Sequence, residues 1–150
     1  MNLYEILHQD HEKVKGLFDQ LDALGEINEN RRDQLFSALY QELDIHTQAE
    51  EKYLYSQLRS ENETRELIME SFDEHKMVKK LLGDLDTMDK GTVEWTAKLR
   101  SLRESVEQHV EMEENELFPL ARKALDDDEA SGIADDIEAF KEEHTELEAY

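Results

Sequence analysis

Cysteine is absent from this chain of 150 residues, which excludes disulfides, thiolate ligands and a cysteine nucleophile. Proline occurs once and glycine 5 times, too few breakers for a fold of many short strands. Basic residues are scarce: 17 Lys and Arg stand against 39 Asp and Glu, for a formal net charge of -22. Such a chain repels phosphate, so neither nucleic acid nor an anionic membrane is expected as a partner. No apolar run approaches the roughly 18 residues that a membrane-spanning helix needs. The stretch Met1 to His8 lacks the basic-then-apolar layout of a secretory leader, so a cytoplasmic protein is expected. The length suits one domain with a real core, and a monomer is expected, with a weak dimer as the alternative.

What the chain does contain is helical periodicity. Four long stretches carry apolar residues at helical spacing. The first runs from a cap at Asn2, with Glu5 three residues on, to Leu24, with Gly25 as its stop. The second spans about Asn30 to Arg59, the third about Glu63 to Met88, and the fourth about Thr92 to Leu125. Short links between them imply antiparallel neighbours in an all-α, up-down-up-down four-helix bundle. Pro119 is expected to kink the fourth stretch, because its ring displaces the carbonyl four residues back. Asp126 to Glu129 reads as a solvated loop, and about Ser131 to Tyr150 as a short fifth helix. Residues 1–125 thus form the bundle, with 126–150 as an acidic loop and helical tail on the same domain.

The second half of the bundle repeats the first. His46-Thr-Gln-Ala-Glu50-Glu51 recurs 63 residues later as His109-Val-Glu-Met-Glu113-Glu114, and His11-Glu-Lys-Val-Lys15 recurs at an offset of 64 as His75-Lys-Met-Val-Lys79. Core positions repeat in the same frame: Val14, Leu17 and Leu21 map onto Val78, Leu81 and Leu85, and Phe36, Leu39 and Leu54 map onto Leu99, Leu102 and Leu117. A helical hairpin has been written twice, which places two hairpins about a pseudo-two-fold axis.

Residues four apart share a helix face at about 5–6 Å. His46 with Glu50, and His109 with Glu113, therefore each offer a nitrogen and an oxygen to one interior volume. His11 and His75 add one nitrogen each. That set suits a two-metal site, the carboxylates bridging and two imidazoles remaining for each ion. Imidazole with carboxylate suits iron, zinc, manganese or copper.

The competing reading makes these ordinary residues on wet helix faces. It fails on two counts. Each histidine interrupts an apolar stripe, where an unpaired polar group is costly, and solvated residues have no reason to recur at matching offsets. A ferritin-like site needs a Glu-x-x-His pair on each of two helices. The residues three before His46, His75 and His109 are Leu43, Phe72 and Val106. His8 reads as surface or as a partner of a ligand, and His144 as solvated. Glu51 and Glu114 are expected to hydrogen-bond ligand imidazoles or face solvent, and Lys15 and Lys79 to reach outward.

With these residues the chain resembles the hemerythrin-like, or HHE cation-binding, domains. The likeness covers about residues 2–125 and rests on His11, His46-x-x-x-Glu50, His75 and His109-x-x-x-Glu113. The run from His109 to Pro119 is its most specific string. The resemblance implies an antiparallel bundle around a non-haem di-iron centre, two iron ions joined by an oxo or hydroxo bridge. It further implies binding of, or reaction with, dioxygen, peroxide or nitric oxide as a sensor or scavenger. The alternatives are reversible oxygen storage, and iron handling or repair of iron centres. Oxygen-carrying relatives place a fifth imidazole one turn past His75, where this chain has Lys79. The four-His, two-Glu set is closer to an iron-sensing domain of a eukaryotic F-box protein and to bacterial proteins that repair iron centres. Neither an F-box nor the repair proteins' cysteine-bearing domain accompanies it, so a bare domain is expected.

Overall fold

Asn2 caps the first helix: its Oδ1 accepts the Glu5 N–H at 2.9 Å, and its amide donates to Glu5 Oε1 at 3.2 Å. The computed structural model describes residues 1–24 and 29–148. The expected stop at Gly25 and the last two residues of the expected tail, Ala149 and Tyr150, lie outside them. Helix α1 is Leu3–Leu24, followed by α2, Glu29–Ala49. A π turn, π1 (Glu50–Tyr55), carries α2 into the short α3 (Ser56–Leu58). Helix α4 is Arg65–Thr87, and α5 is Val93–Met112. A second π turn, π2 (Glu113–Leu117), leads into α6 (Phe118–Ala124), and α7 is Asp127–Glu148. Four rods (α1, α2–π1–α3, α4, α5–π2–α6) form the bundle, with α1 packed chiefly on α2 and α4 on α5. The all-α bundle with a fifth helix is the expected fold, and no described helix is long and apolar enough to cross a membrane.

Two apolar clusters fill the bundle, one toward each end. Leu3, Leu7, Leu54, Ile68 and Leu117 belong to one. Val14, Phe18, Phe36, Leu39, Leu82, Trp95 and Leu102 belong to the other. Each buried leucine or phenylalanine contributes about 1.5–3 kcal/mol relative to exposure. Trp95 also satisfies its indole N–H on the Leu85 carbonyl at 3.0 Å, and its backbone N–H on the α5 cap, Thr92 Oγ1, at 3.2 Å. On every rod the singled-out histidine falls in the gap between the two clusters. His11 separates Leu7 from Val14, and His75 separates Ile68 from Val78. The antiparallel rods bring these gaps to one level, so a polar layer sits between two dry ones.

Three local expectations need correction. The fifth helix is not short: α7 has 22 residues. Its start lies inside the acidic run read as a loop, because Asp126 and Glu129 form a reciprocal capping box. The Glu129 N–H donates to Asp126 Oδ1 at 2.8 Å, and the Asp126 N–H to Glu129 Oε1 at 3.0 Å. Acidic side chains at a helix N-terminus also complement its dipole. Ile133, Ala134, Ile137 and Phe140 then bury the α7 stripe in the first cluster, against α1, α2 and π1.

At Pro119 the expected kink takes the form of the π turn just ahead of it, where the Phe118 N–H reaches back five residues to the Glu113 carbonyl. Proline is not the cause. The same turn forms at Glu50–Tyr55, where the repeat has Ser56 in place of Pro119. The third correction concerns His144, read as solvated. It is half-buried, stacked on Phe140 with centroids 3.8 Å apart, its Nδ1–H on the Phe140 carbonyl at 2.8 Å.

Candidate metal centre

The polar layer contains all six residues that the repeat singles out. His11 comes from α1, His46 from α2, His75 from α4 and His109 from α5. Glu50 and Glu113 stand at the first residues of π1 and π2. All six are buried, and both carboxylates are fully shielded at 0% exposure. His11 and His46 form one pair with ring centroids 5.0 Å apart, and His75 and His109 the other at 4.8 Å.

The carboxylates lie across both pairs. Glu50 Oε1 is 3.1 Å from His46 Nε2 and 3.4 Å from His75 Nε2. Glu113 Oε1 is 3.1 Å from His11 Nε2, and its Oε2 is 3.3 Å from His109 Nε2. Donor atoms of His11, His46, Glu50 and Glu113 lie within 4.8 Å of one another, as do those of Glu50, His75 and His109. Two overlapping donor sets thus share a carboxylate.

The outer edges of the imidazoles are held by a belt of carboxylates. His46 Nδ1 bonds Asp10 Oδ2, His75 Nδ1 bonds Glu51 Oε2 and His109 Nδ1 bonds Glu74 Oε1, each at 2.9 Å. His11 Nδ1 bonds Glu114 Oε2 at 3.3 Å. An Nδ1–H donated outward leaves the Nε2 lone pair facing inward, the tautomer a metal requires. The expected hydrogen-bonding role of Glu51 and Glu114 is what the structure has. Asp10 and Glu74 were not singled out from sequence, although both are acidic, both directly precede a histidine of the set, and they repeat at the offset of 64.

Exposed His8 also bonds Glu114, from the far side of His11. Lys141 of α7 pairs with Asp10. Lys15 and Lys79 are exposed, as expected, and Lys79 with Lys76 helps hold the Glu51 carboxyl below its usual range, against the upward push of burial and alongside His75.

Electrostatics tie the layer together. Burial disfavours charge on His46, but Glu50 and Asp10 outweigh it and raise the imidazole well above its ordinary value. The same contest raises His75, through Glu50 and Glu51. It raises His109 to about 10, through Glu113 and Glu74. Burial pushes the Glu113 carboxyl up, yet the neighbouring Glu50, His109 and His11 side chains hold it well below the usual range. Without a metal the shared carboxylates therefore favour the protonated form of His46, His75 and His109.

Among the described residues five buried side-chain atoms make no hydrogen bond even so; one is the Tyr4 hydroxyl, and the other four, His11 Nε2, His46 Nε2, Glu50 Oε2 and Glu113 Oε1, lie in this layer. Buried polar atoms left without partners are costly. These four come from the residues of one donor set, whose imidazole nitrogens and carboxylate oxygens fit a bound cation. A second feature adjoins the rings, a cavity of about 20 Å³ between the four imidazoles and Val14, Leu43, Thr47, Val78, Val106 and Val110. The larger surface hollows near Met1 include none of the six residues.

Comparison with known proteins agrees with this architecture. The crystal structure of a hemerythrin HHE cation binding domain-containing protein from Mycobacterium kansasii superposes with a TM-score of 0.83 at 26% identity, covering 96% of this chain and 87% of that one. A protein named DNA nickase from Nostoc sp. (strain PCC 7120) is 31% identical over 144 residues, 94% of this chain. The chain spans only 39% of that relative's length. A hemerythrin-like protein from Schizosaccharomyces pombe is 24% identical over 139 residues, 91% of this chain and 68% of its own length. The family profile of the hemerythrin HHE cation binding domain matches residues 2–121, and the chain belongs to that family.

Proposed function

We propose that this protein holds a non-haem di-iron centre that binds or reacts with dioxygen, peroxide or nitric oxide, as a sensor or scavenger. In this reading His11, His46, His75 and His109, together with Glu50 and Glu113 between the two imidazole pairs, would hold the ions. Bound iron would supply redox chemistry and coordination positions for a small exogenous ligand. The chain supplies the rest. Asp10, Glu51, Glu74 and Glu114 orient the imidazoles, and the apolar clusters above and below keep bulk water from the layer.

The observation that carries the choice of ligand is the cavity beside the four rings. A void of about 10–15 Å³ suffices for one water, so about 20 Å³ admits a diatomic or peroxide and excludes a metabolite. Apart from the rings its walls are four valines, Leu43 and Thr47, which suit a small ligand of low polarity. Nucleic-acid nicking is no part of this reading: the matched Nostoc relative is far longer, and a net charge of -22 opposes a phosphate backbone.

The test is anaerobic loading of the full chain with ferrous iron, metal analysis, and then mixing with dioxygen, peroxide or nitric oxide. Two irons per chain and a spectral change with any of the three support the proposal. Catalytic loss of peroxide assigns scavenging, reversal on degassing assigns storage, and release of iron assigns iron handling. A chain that takes up zinc but not iron, or whose iron spectrum ignores all three ligands, overturns it.

A further inference from the structure

The four carboxylates that hold the imidazoles are not equivalent. The Asp10 side chain is 6% exposed, against 27% for Glu51 and Glu114 and 35% for Glu74. Water screens three of these links and barely reaches the fourth. Asp10 is also held at both oxygens. Its Oδ2 accepts from His46 Nδ1 at 2.9 Å, and its Oδ1 from the Lys141 ammonium. Glu74, the repeat partner of Asp10, accepts from His109 Nδ1 at 2.9 Å, and among the described residues no lysine or arginine pairs with it. Lys76 and Lys79 lie near Glu51 but form no ion pair with it among the described residues.

Lys141 comes from outside the repeat. It is the one lysine in α7, which has no arginine. Exposed Glu138, three residues back on the same helix, is within reach of such a side chain, yet Lys141 pairs with Asp10. Ile133, Ala134, Ile137 and Phe140 already bury the α7 stripe, so the helix does not need this contact to dock. A carboxylate behind a ligand imidazole strengthens it as a donor. An ammonium on that carboxylate withdraws part of the gain, and in a shielded site the effect of its charge is large.

We propose that Lys141 is a positioning residue for the metal layer: through Asp10 it weakens His46 as a donor, which makes the two donor sets unlike and favours ferrous iron in the set that contains His46. The fifth helix thereby tunes a centre built entirely by the other four rods. The proposal rests on the di-iron reading above, and the test separates the two.

The full chain, Lys141→Met, Lys141→Arg, Asp10→Asn and the Asp10→Asn, Lys141→Met double variant are loaded anaerobically with ferrous iron. Iron content, circular dichroism and the one-electron potentials from a mediated redox titration are then recorded. Lys141→Met is expected to stay helical with two irons and to shift the balance toward ferric iron about tenfold, the low end for an outer partner. That is a fall of about 59 mV in one of the potentials. Lys141→Arg is expected to keep the parent's value. In the Asp10→Asn background Lys141→Met is expected to move nothing, because the route is gone. A potential that stays or rises in Lys141→Met overturns the proposal, as does an equal fall in the Asp10→Asn background. If Lys141→Met loses helix or iron, Lys141→Gln takes its place; the same loss in both makes Lys141 a fastener of α7 and overturns the proposal. A parent that binds fewer than two irons overturns the di-iron reading itself, and the role of Lys141 with it.

Discussion

Asp10 on α1 accepts a hydrogen bond from Nδ1 of His46 on α2 at 2.9 Å. That bond is one link of a closed belt. Glu51 of π1 does the same for His75 on α4, Glu74 on α4 for His109 on α5, and Glu114 of π2 for His11 on α1. Each rod orients the imidazole of the next, and the last orients the first. The pseudo-two-fold axis explains the pattern, since Asp10 and Glu74 are repeat partners, as are Glu51 and Glu114. Lys141 breaks the symmetry by pairing with Asp10 from α7, so the fifth helix touches the belt at one point.

Asp10→Asn removes the charge from one link while keeping its size. Loss of such an outer partner costs about 10–100-fold in metal affinity. A competition titration against a chelator is expected to show that drop, with iron content still reaching two per chain at excess metal. Unchanged affinity would mean that Asp10 serves only to fasten α7 through Lys141.

Glu50→Ala removes a carboxylate that faces both imidazole pairs, so iron content is expected to fall to one or fewer per chain. His144→Ala removes a half-buried ring of α7 that belongs to neither donor set and is expected to leave the content at two. Metal analysis after reconstitution with excess ferrous iron checks both. Equal losses in the two variants would mean that the donor set has been misassigned.

The repeat explains how much of this architecture is legible from residues alone. Apolar positions at helical spacing mark four rods, and a polar residue recurring inside that stripe marks the layer between the clusters. Asp10 and Glu74 carried the same signal, masked because acidic residues are everywhere in this chain. Asp126 and Glu129 were masked in the same way, a capping box inside a run that reads as solvated. The π turns left no residue signature, since Ser56 and Pro119 tolerate the same backbone.

Metal is expected to stabilise the fold, because an ion bound only by the native state shifts the unfolding equilibrium. At free metal about 1,000-fold above Kd the gain is about 4 kcal/mol. For a chain of this size each kcal/mol moves Tm by about 2–4 °C, so the loaded protein should melt roughly 8–16 °C higher. Calorimetry with and without a chelator measures it. Coincident melting curves would place any bound metal outside the buried layer.

The pH dependence has a definite sign. His109 in the metal-free protein is raised to about 10, and His46 and His75 are raised as well. Raised imidazoles contribute stability that is fully present below the unfolded value, near 6.5. That contribution is lost as pH climbs from there toward about 10 for His109. The apo protein should therefore lose stability across that window. Metal must displace the same protons, so its affinity should rise over the same range. Denaturant melts and chelator competition at several pH values check the two trends, which must run in opposite directions.

Access to the layer is the last expectation. Val110 follows His109, is only half-buried, and lines the cavity of about 20 Å³ beside the four rings. Val110→Phe adds volume at that wall while leaving every donor in place. Overpacking of this kind costs about 1–3 kcal/mol of stability, and the partial exposure of the position favours the low end. Iron content should remain at two, because none of the six donors is touched. The observed rate with dioxygen under stopped-flow mixing should fall, since the variant fills the space that a diatomic would cross. An unchanged rate at equal iron content would mean that small ligands reach the layer by a path other than the valine-lined cavity.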